Sequence, residues 1–183
     1  PNIRNKNKSF NEAFPNETSY GVSALVLYDL LFGIDLLNDQ INQHKIEKYF
    51  CIVEPSVNYL INNEEKHAII SNHLATAAAA LCLWQELTGK HKNSYKKIID
   101  KIIINQSDEG WYKEYQGPDP GYQTLCLQYL STIIKKTNDK KLMLSLQKSF
   151  KFLYYFIHPD GTTGGLYGSR NTEVVYPGGL SLL

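Results

Sequence analysis

Residues 74–84 read Leu-Ala-Thr-Ala-Ala-Ala-Ala-Leu-Cys-Leu-Trp. A helix of this composition has no polar side to turn to water, so it is buried all round. The four alanines Ala77 to Ala80 let neighbouring helices approach closely. Two other runs share the character: Val22 to Phe32 (VSALVLYDLLF) and Tyr122 to Ile134 (YQTLCLQYLSTII). Between and after them lie helices of a second kind, with one apolar stripe each. Ile46, Tyr49, Phe50, Val53, Val57 and Leu60 form the first stripe, on a helix expected to kink at Pro55. Tyr95, Ile98, Ile99, Ile102 and Ile103 form the second, with Lys96, Lys97, Asp100 and Lys101 opposite. Leu142, Leu146, Phe150, Leu153 and Ile157 form the third, with Lys148 and Lys151 outside.

The two kinds alternate with a period of about fifty residues, the signature of a repeated helical hairpin. Tyr20, His73 and Tyr122 read as matching positions ahead of the three buried helices. The fold class is therefore all-α. Buried helices alternating with half-wet ones imply two layers, and an α/α toroid is the closed form expected. An open solenoid of tetratricopeptide or armadillo type is the alternative. Residues 1–183 read as a single domain of three hairpins and the start of a fourth, a partial toroid from a longer chain. The end, Gly178-Gly179-Leu180-Ser181-Leu182-Leu183, reads as the start of a helix. A half toroid exposes inner-helix surface, which leaves room for a homo-oligomer.

Composition excludes several classes. Apolar residues make up 43% and charged residues 20%, average values for a globular domain, which rules out a disordered or collagen-like chain. The net charge of +1 gives no general pull toward nucleic acid or an anionic membrane, so neither is expected as a partner. The apolar runs are too short to span a bilayer, and no signal peptide is visible. Cys51, Cys82 and Cys126 read as buried thiols without metal-type spacing. An odd, unpaired set leans toward a reducing, cytoplasmic setting. Neither a metal nor another cofactor is expected. Asn16-Glu17-Thr18 and Asn105-Gln106-Ser107 match the glycosylation triplet by chance in an Asn-rich chain.

The inner-to-outer connections, Thr88-Gly89-Lys90 and Thr137-Asn138-Asp139, are short and polar, and the outer-to-inner ones are long. Residues 107–121 and 158–170 are longer than ordinary helix–helix links and rich in Gly, Pro and aromatics. With the starts of the buried helices they gather Asn16, Glu17, Tyr20, Asn72, His73, Trp111, Tyr112, Glu114, Tyr115, Asp119, Tyr122, Tyr167, Arg170, Asn171 and Glu173 at one end. Thirteen Tyr are more than a core of this size needs. Aromatic faces with hydrogen-bonding groups between them suit sugar rings. Plain readings compete with this one. Asn72 suits an N-cap, Trp111 and Tyr122 suit packing, Arg170 an ion pair and His158 a turn. The candidates' convergence on one phase of the repeat favours a site.

Ser71-Asn72-His73, opening an Ala-rich inner helix, resembles the Asn-His motif of α/α-toroid polysaccharide lyases, the heparinase II/III-like and alginate-lyase-type enzymes. Asp108 to Tyr122, with Gly110, Trp111, Glu114 and Tyr122, is similar to their loop that carries a catalytic Tyr. The likeness covers roughly residues 65–180. It implies β-elimination, or the related epimerisation, on a uronic-acid polysaccharide or oligosaccharide. The sugar carboxylate must then be neutralised so that the dianion formed on proton loss is stabilised. Asn72, with Arg170, would do this, while His73 and Tyr122 share the roles of base and acid in an order left open. Tyr20, Trp111, Glu114, Tyr115, Asp119, Tyr167 and Asn171 would bind the substrate. The chain departs from the family in length, since six hairpins of this period need about three hundred residues, and in lacking an accessory β-sandwich.

Two other classes compete. A glycoside hydrolase on the same scaffold needs two facing carboxylates, which Glu114, Asp119 and Glu173 could supply. A non-catalytic helical repeat would bind a glycan or a protein. A terpenoid-cyclase-like protein is disfavoured, because no Asp-rich diphosphate-binding run is present.

Overall fold

The computed structural model describes residues 4–182, the side chains of Arg170 and Leu182 excepted. Among the described residues the fold is all-helical, with isolated bridges in place of strands. Six α-helices run in order: α1 Tyr20–Leu37, α2 Gln43–Asn62, α3 Ser71–Thr88, α4 Lys96–Ile104, α5 Pro120–Thr137 and α6 Lys140–Leu153. Helices α1, α3 and α5 are each 18 residues long and pack side by side, with α3 between the other two. Helices α2, α4 and α6 each pack on the partner that precedes them in the chain. A 3₁₀ turn, Pro177–Leu182, covers the flank of α5.

The sequence explains which helix lies where. All of Ala77, Ala78, Ala79 and Ala80 are fully buried, together with Leu81, Leu83 and Trp84. With methyl groups there, α1 and α5 reach each other across α3. Tyr28 meets Tyr129 edge-on at 4.8 Å, and its hydroxyl shares a 3.1 Å hydrogen bond with Thr132. Lys136 closes the same gap lower down, 2.9 Å from Asp35. On the outer helices the predicted stripes point inward: Ile46, Val53, Val57 and Leu60; Ile99 and Ile102; Leu142, Leu146 and Leu153. Burying each such side chain contributes about 1.5–3 kcal/mol.

Three expectations change. Helix α1 is not covered all round: Leu30, Phe32, Leu36 and Leu37 are exposed, because α3 and α2 cover only part of it. It is also longer than the apolar run suggested, and by length and composition alone it is long and apolar enough to cross a membrane. Cys51 is exposed, since it falls between stripe residues Phe50 and Val53 on the wet side of α2; Cys82 and Cys126 are buried. Pro55, where a kink is expected, lies inside α2, and the helix continues past it, so that expectation stands as it was. Tyr20 is not in phase with His73 and Tyr122. Those two lie three residues past the caps Ile70 and Asp119, and the equivalent residue past Ser19 is Val22.

Candidate functional site

The three inner helices begin at the same end, and each first turn is capped differently. In α1 the Ser19 hydroxyl accepts from the Val22 N–H at 3.2 Å. In α5 Asp119 Oδ1 accepts from Tyr122 N–H at 3.0 Å. Helix α3 has Ile70 at that position and no side chain of its own to offer. Its orphan donors are satisfied by the loop 107–119 instead. The Ser71 N–H and hydroxyl both donate to the Lys113 carbonyl, at 3.1 and 2.7 Å. The Asn72 N–H donates to Glu114 Oε1 at 2.8 Å, and Asn72 Nδ2 to Glu114 Oε2 at 2.9 Å. Glu114 therefore caps α3 from 42 residues away, where an anion also suits the helix dipole.

Both groups of this clamp are buried. Burial pushes the Glu114 carboxyl up to about 7, against the pull of the two Asn72 donors and of nearby His73; Asp119 adds a further push upward. The Cys126 thiol donates to Glu114 Oε1 at 3.7 Å, and burial raises that thiol well above its ordinary range.

The loop is held rigidly behind this clamp. Gln123 Oε1 accepts from Tyr112 N–H at 3.0 Å, and its Nε2 donates to the Ser149 carbonyl and hydroxyl at 3.1 and 2.8 Å. The Tyr112 hydroxyl meets Ser145 at 2.9 Å. Gly110 has φ +107 and lies against the Lys148 carbonyl, a backbone conformation and a closeness that only glycine accommodates.

One residue further along α3, His73 faces a second carboxylate. Its Nδ1 is 2.8 Å from Glu65 Oε2. The other oxygen, Glu65 Oε1, is 3.0 Å from His67 Nδ1 and accepts from His67 N–H at 3.2 Å. Burial pushes the Glu65 carboxyl up, but the hydrogen bonds from His73 and His67 outweigh it and hold the group down at about 2. The Glu65 side chain is 2% exposed, while that of His73 is 24% exposed. The imidazole lies directly on Gly21 of α1; a Cβ there would fall on the ring, 2.5 Å from Cε1. Beside this group opens a polar recess of about 320 Å³, lined by Glu17, Tyr20, Tyr59, Glu65, Lys66 and His67 among others.

The remaining predicted residues take varied places. Tyr20 is buried, which raises its phenol well above the usual range. Asp119 is buried as well and fully engaged, since its Oδ2 accepts from Ser169 N–H and hydroxyl at 2.7 and 2.6 Å. Trp111 is half-buried and donates to Glu109 at 3.0 Å. Tyr115 is exposed, with φ +55. Tyr122 is half-buried. Tyr167 meets Phe156 in a tilted ring contact at 5.2 Å and donates to the Gly164 carbonyl at 3.1 Å. Asn171 is exposed, and its carbonyl accepts from Gly165 N–H. The Arg170 side chain lies outside the described residues. The structure thus joins Asn72 with Glu114, and sets His73 close enough to influence Glu114.

Sequence reading missed Glu65, His67 and Gly21. The first two sit in the connection before α3, where no periodicity marks a residue's direction. The only signal was an acidic residue in a polar link shortly ahead of a His at a helix start. Among the described residues no group of three or more His, Cys, Asp or Glu is arranged to hold a metal ion. Comparison with family models, with curated proteins and with solved structures yields no match to this chain.

Proposed function

We propose that this chain is part of an α/α toroid acting on a uronic-acid-containing polysaccharide by β-elimination, with His73 as the base. The observation that carries the reading is the Glu65–His73 pair, a partly exposed imidazole whose Nδ1 is tied to a buried, ionised carboxylate. An imidazole held this way keeps its other nitrogen for proton transfer. The toroid is supported by three apolar helices laid side by side, of which α3 and α5 are largely buried, three further helices on their partners, and helix starts about fifty residues apart.

In this scheme His73 Nε2 removes the proton alpha to the uronate carboxylate. Tyr122, three residues past its cap as His73 is past Ile70, protonates the departing glycosidic oxygen. Asn72 would meet the uronate carboxylate with the Nδ2 hydrogen it does not give to Glu114, and Arg170 is carried over in that role from the resemblance alone. Epimerisation uses the same groups when the proton returns before the leaving sugar departs.

One observation favours a second reading, a glycoside hydrolase. Two carboxyls here are driven apart, Glu65 down to about 2 and Glu114 up to about 7, as a stabilising carboxylate and a general acid would be. Both oxygens are engaged in Glu114 as they are in Asp119, so a general acid here has to release an Asn72 donor before it acts.

The test is incubation with a panel of uronic-acid polysaccharides while recording ultraviolet absorbance and new reducing ends. Unsaturated product lost in His73→Gln by at least about 10²-fold supports the lyase. Saturated ends, lost in Glu114→Gln but kept in His73→Gln, support the hydrolase. Glycan binding without turnover across the panel points to a non-catalytic module and removes both.

A further inference from the structure

We propose that Glu65 is a positioning residue that selects the tautomer of His73, fixing the proton on Nδ1 and leaving Nε2 basic. This deepens the role proposed for His73 and rests on it.

The geometry makes the selection specific. Glu65 sits between two imidazoles and touches both through Nδ1: His73 on Oε2 at 2.8 Å and His67 on Oε1 at 3.0 Å. An ionised carboxylate has lone pairs only, so each contacting nitrogen must carry its hydrogen. The low position of Glu65 keeps it in that form. The backbone N–H of His67, also on Oε1, is a donor that cannot change. Gly21 makes room for this ring position, since the imidazole fills the space over its Cα.

An amide at position 65 would reverse the choice. Gln has one acceptor and one donor. Its oxygen must take the Oε1 place, since His67 N–H points there. Its NH₂ then faces His73 Nδ1, which can accept only as a bare lone pair. The ring proton moves to Nε2, and a neutral His73 can no longer take a proton there. Shape and bulk are almost unchanged, so the fold is kept.

The experiment is ¹⁵N NMR of the histidine-labelled chain in mildly alkaline buffer, with His73 assigned by its loss in His73→Gln. The expected result is an Nδ1–H, bare-Nε2 pattern in the parent chain and an inverted pattern in Glu65→Gln. Parent and variant spectra with the same His73 tautomer would overturn the proposal. Should Glu65→Gln fail to fold, His67→Phe keeps the question open to decision. That variant must retain Nδ1–H on His73, and losing it overturns the proposal. Activity is a separate readout. In Glu65→Gln the kcat on a turned-over polysaccharide should fall by about 10³–10⁴-fold with KM little changed; an unchanged kcat overturns the positioning role. A parent chain silent across the panel, with the tautomer inverting as described, removes the lyase reading and leaves the selection standing.

Discussion

At the scale of single residues, the pairing of His73 with Glu65 depends on a hydrogen atom at position 21. Gly21 is helical and needs no unusual φ; its value lies in the missing methyl. In Gly21→Ala the added Cβ would overlap the His73 ring. The ring must shift and weaken its 2.8 Å contact with Glu65. We expect Gly21→Ala to lower the melting temperature and, on the proposed function, to remove most turnover. Gly33→Ala, where a Cβ meets nothing within 4 Å, is the control and should be neutral or slightly stabilising. Thermal unfolding of both variants checks this. Cys51 carries a lesson about reading residues. Its exposure was legible, because it sits off the very stripe that placed Phe50 and Val53. The burial of Glu114 was not legible, because a carboxylate in a Gly- and Pro-rich loop ordinarily faces water.

At the scale of elements, the helices were readable because their apolar pattern is strong and periodic. Their starts were less so. Asp119 before Pro120 caps α5, a pair of residue types that suits a helix start, although the sequence reading takes Asp119 for a substrate contact. Helix α3 breaks the rule, since Ile70 offers nothing and the cap arrives from a loop beyond α4. No local pattern could reveal that. The difference has an energetic consequence. Asp119→Ala removes one cap bond and two bonds to Ser169, and should cost about 1–2 kcal/mol. Glu114→Ala strands a buried Asn72 N–H and amide together, and should cost about 2–4 kcal/mol. Urea unfolding of the two variants, compared at one pH, tests the order.

At the scale of the whole molecule, the two carboxyls give opposite pH dependences. Glu114 is raised from its ordinary 4.5 to about 7, so folding favours its protonated form. Its contribution is complete below about 4.5 and is lost as pH rises through about 7. Glu65 is lowered to about 2, so its contribution is complete above about 4.5 and is lost as pH falls toward 2. Urea midpoints should peak between these limits. Glu114→Gln should flatten the alkaline side alone, and Glu65→Gln the acidic side alone. A parent profile that rises steadily from pH 4.5 to 7 contradicts the assignment for Glu114. The layering of six helices was legible because it follows from which helices lack a wet face. The open side of α1 was not, since composition reports how apolar a helix is and not how many neighbours surround it.

The cap that reaches α3 from a distant loop ties two parts of the chain into one opening unit. Lys113 and Glu114 hold the amides of Ser71 and Asn72, while Ile69 in turn accepts from Tyr115 N–H. Those amides can exchange with solvent only when the loop releases them. The loop cannot lift away without fraying the first turn of the central helix, one residue from His73. The rim at this end is therefore fixed, because a swinging flap here would dismantle the helix start that presents the imidazole; on the proposed function, a polymer would enter past it without a lid.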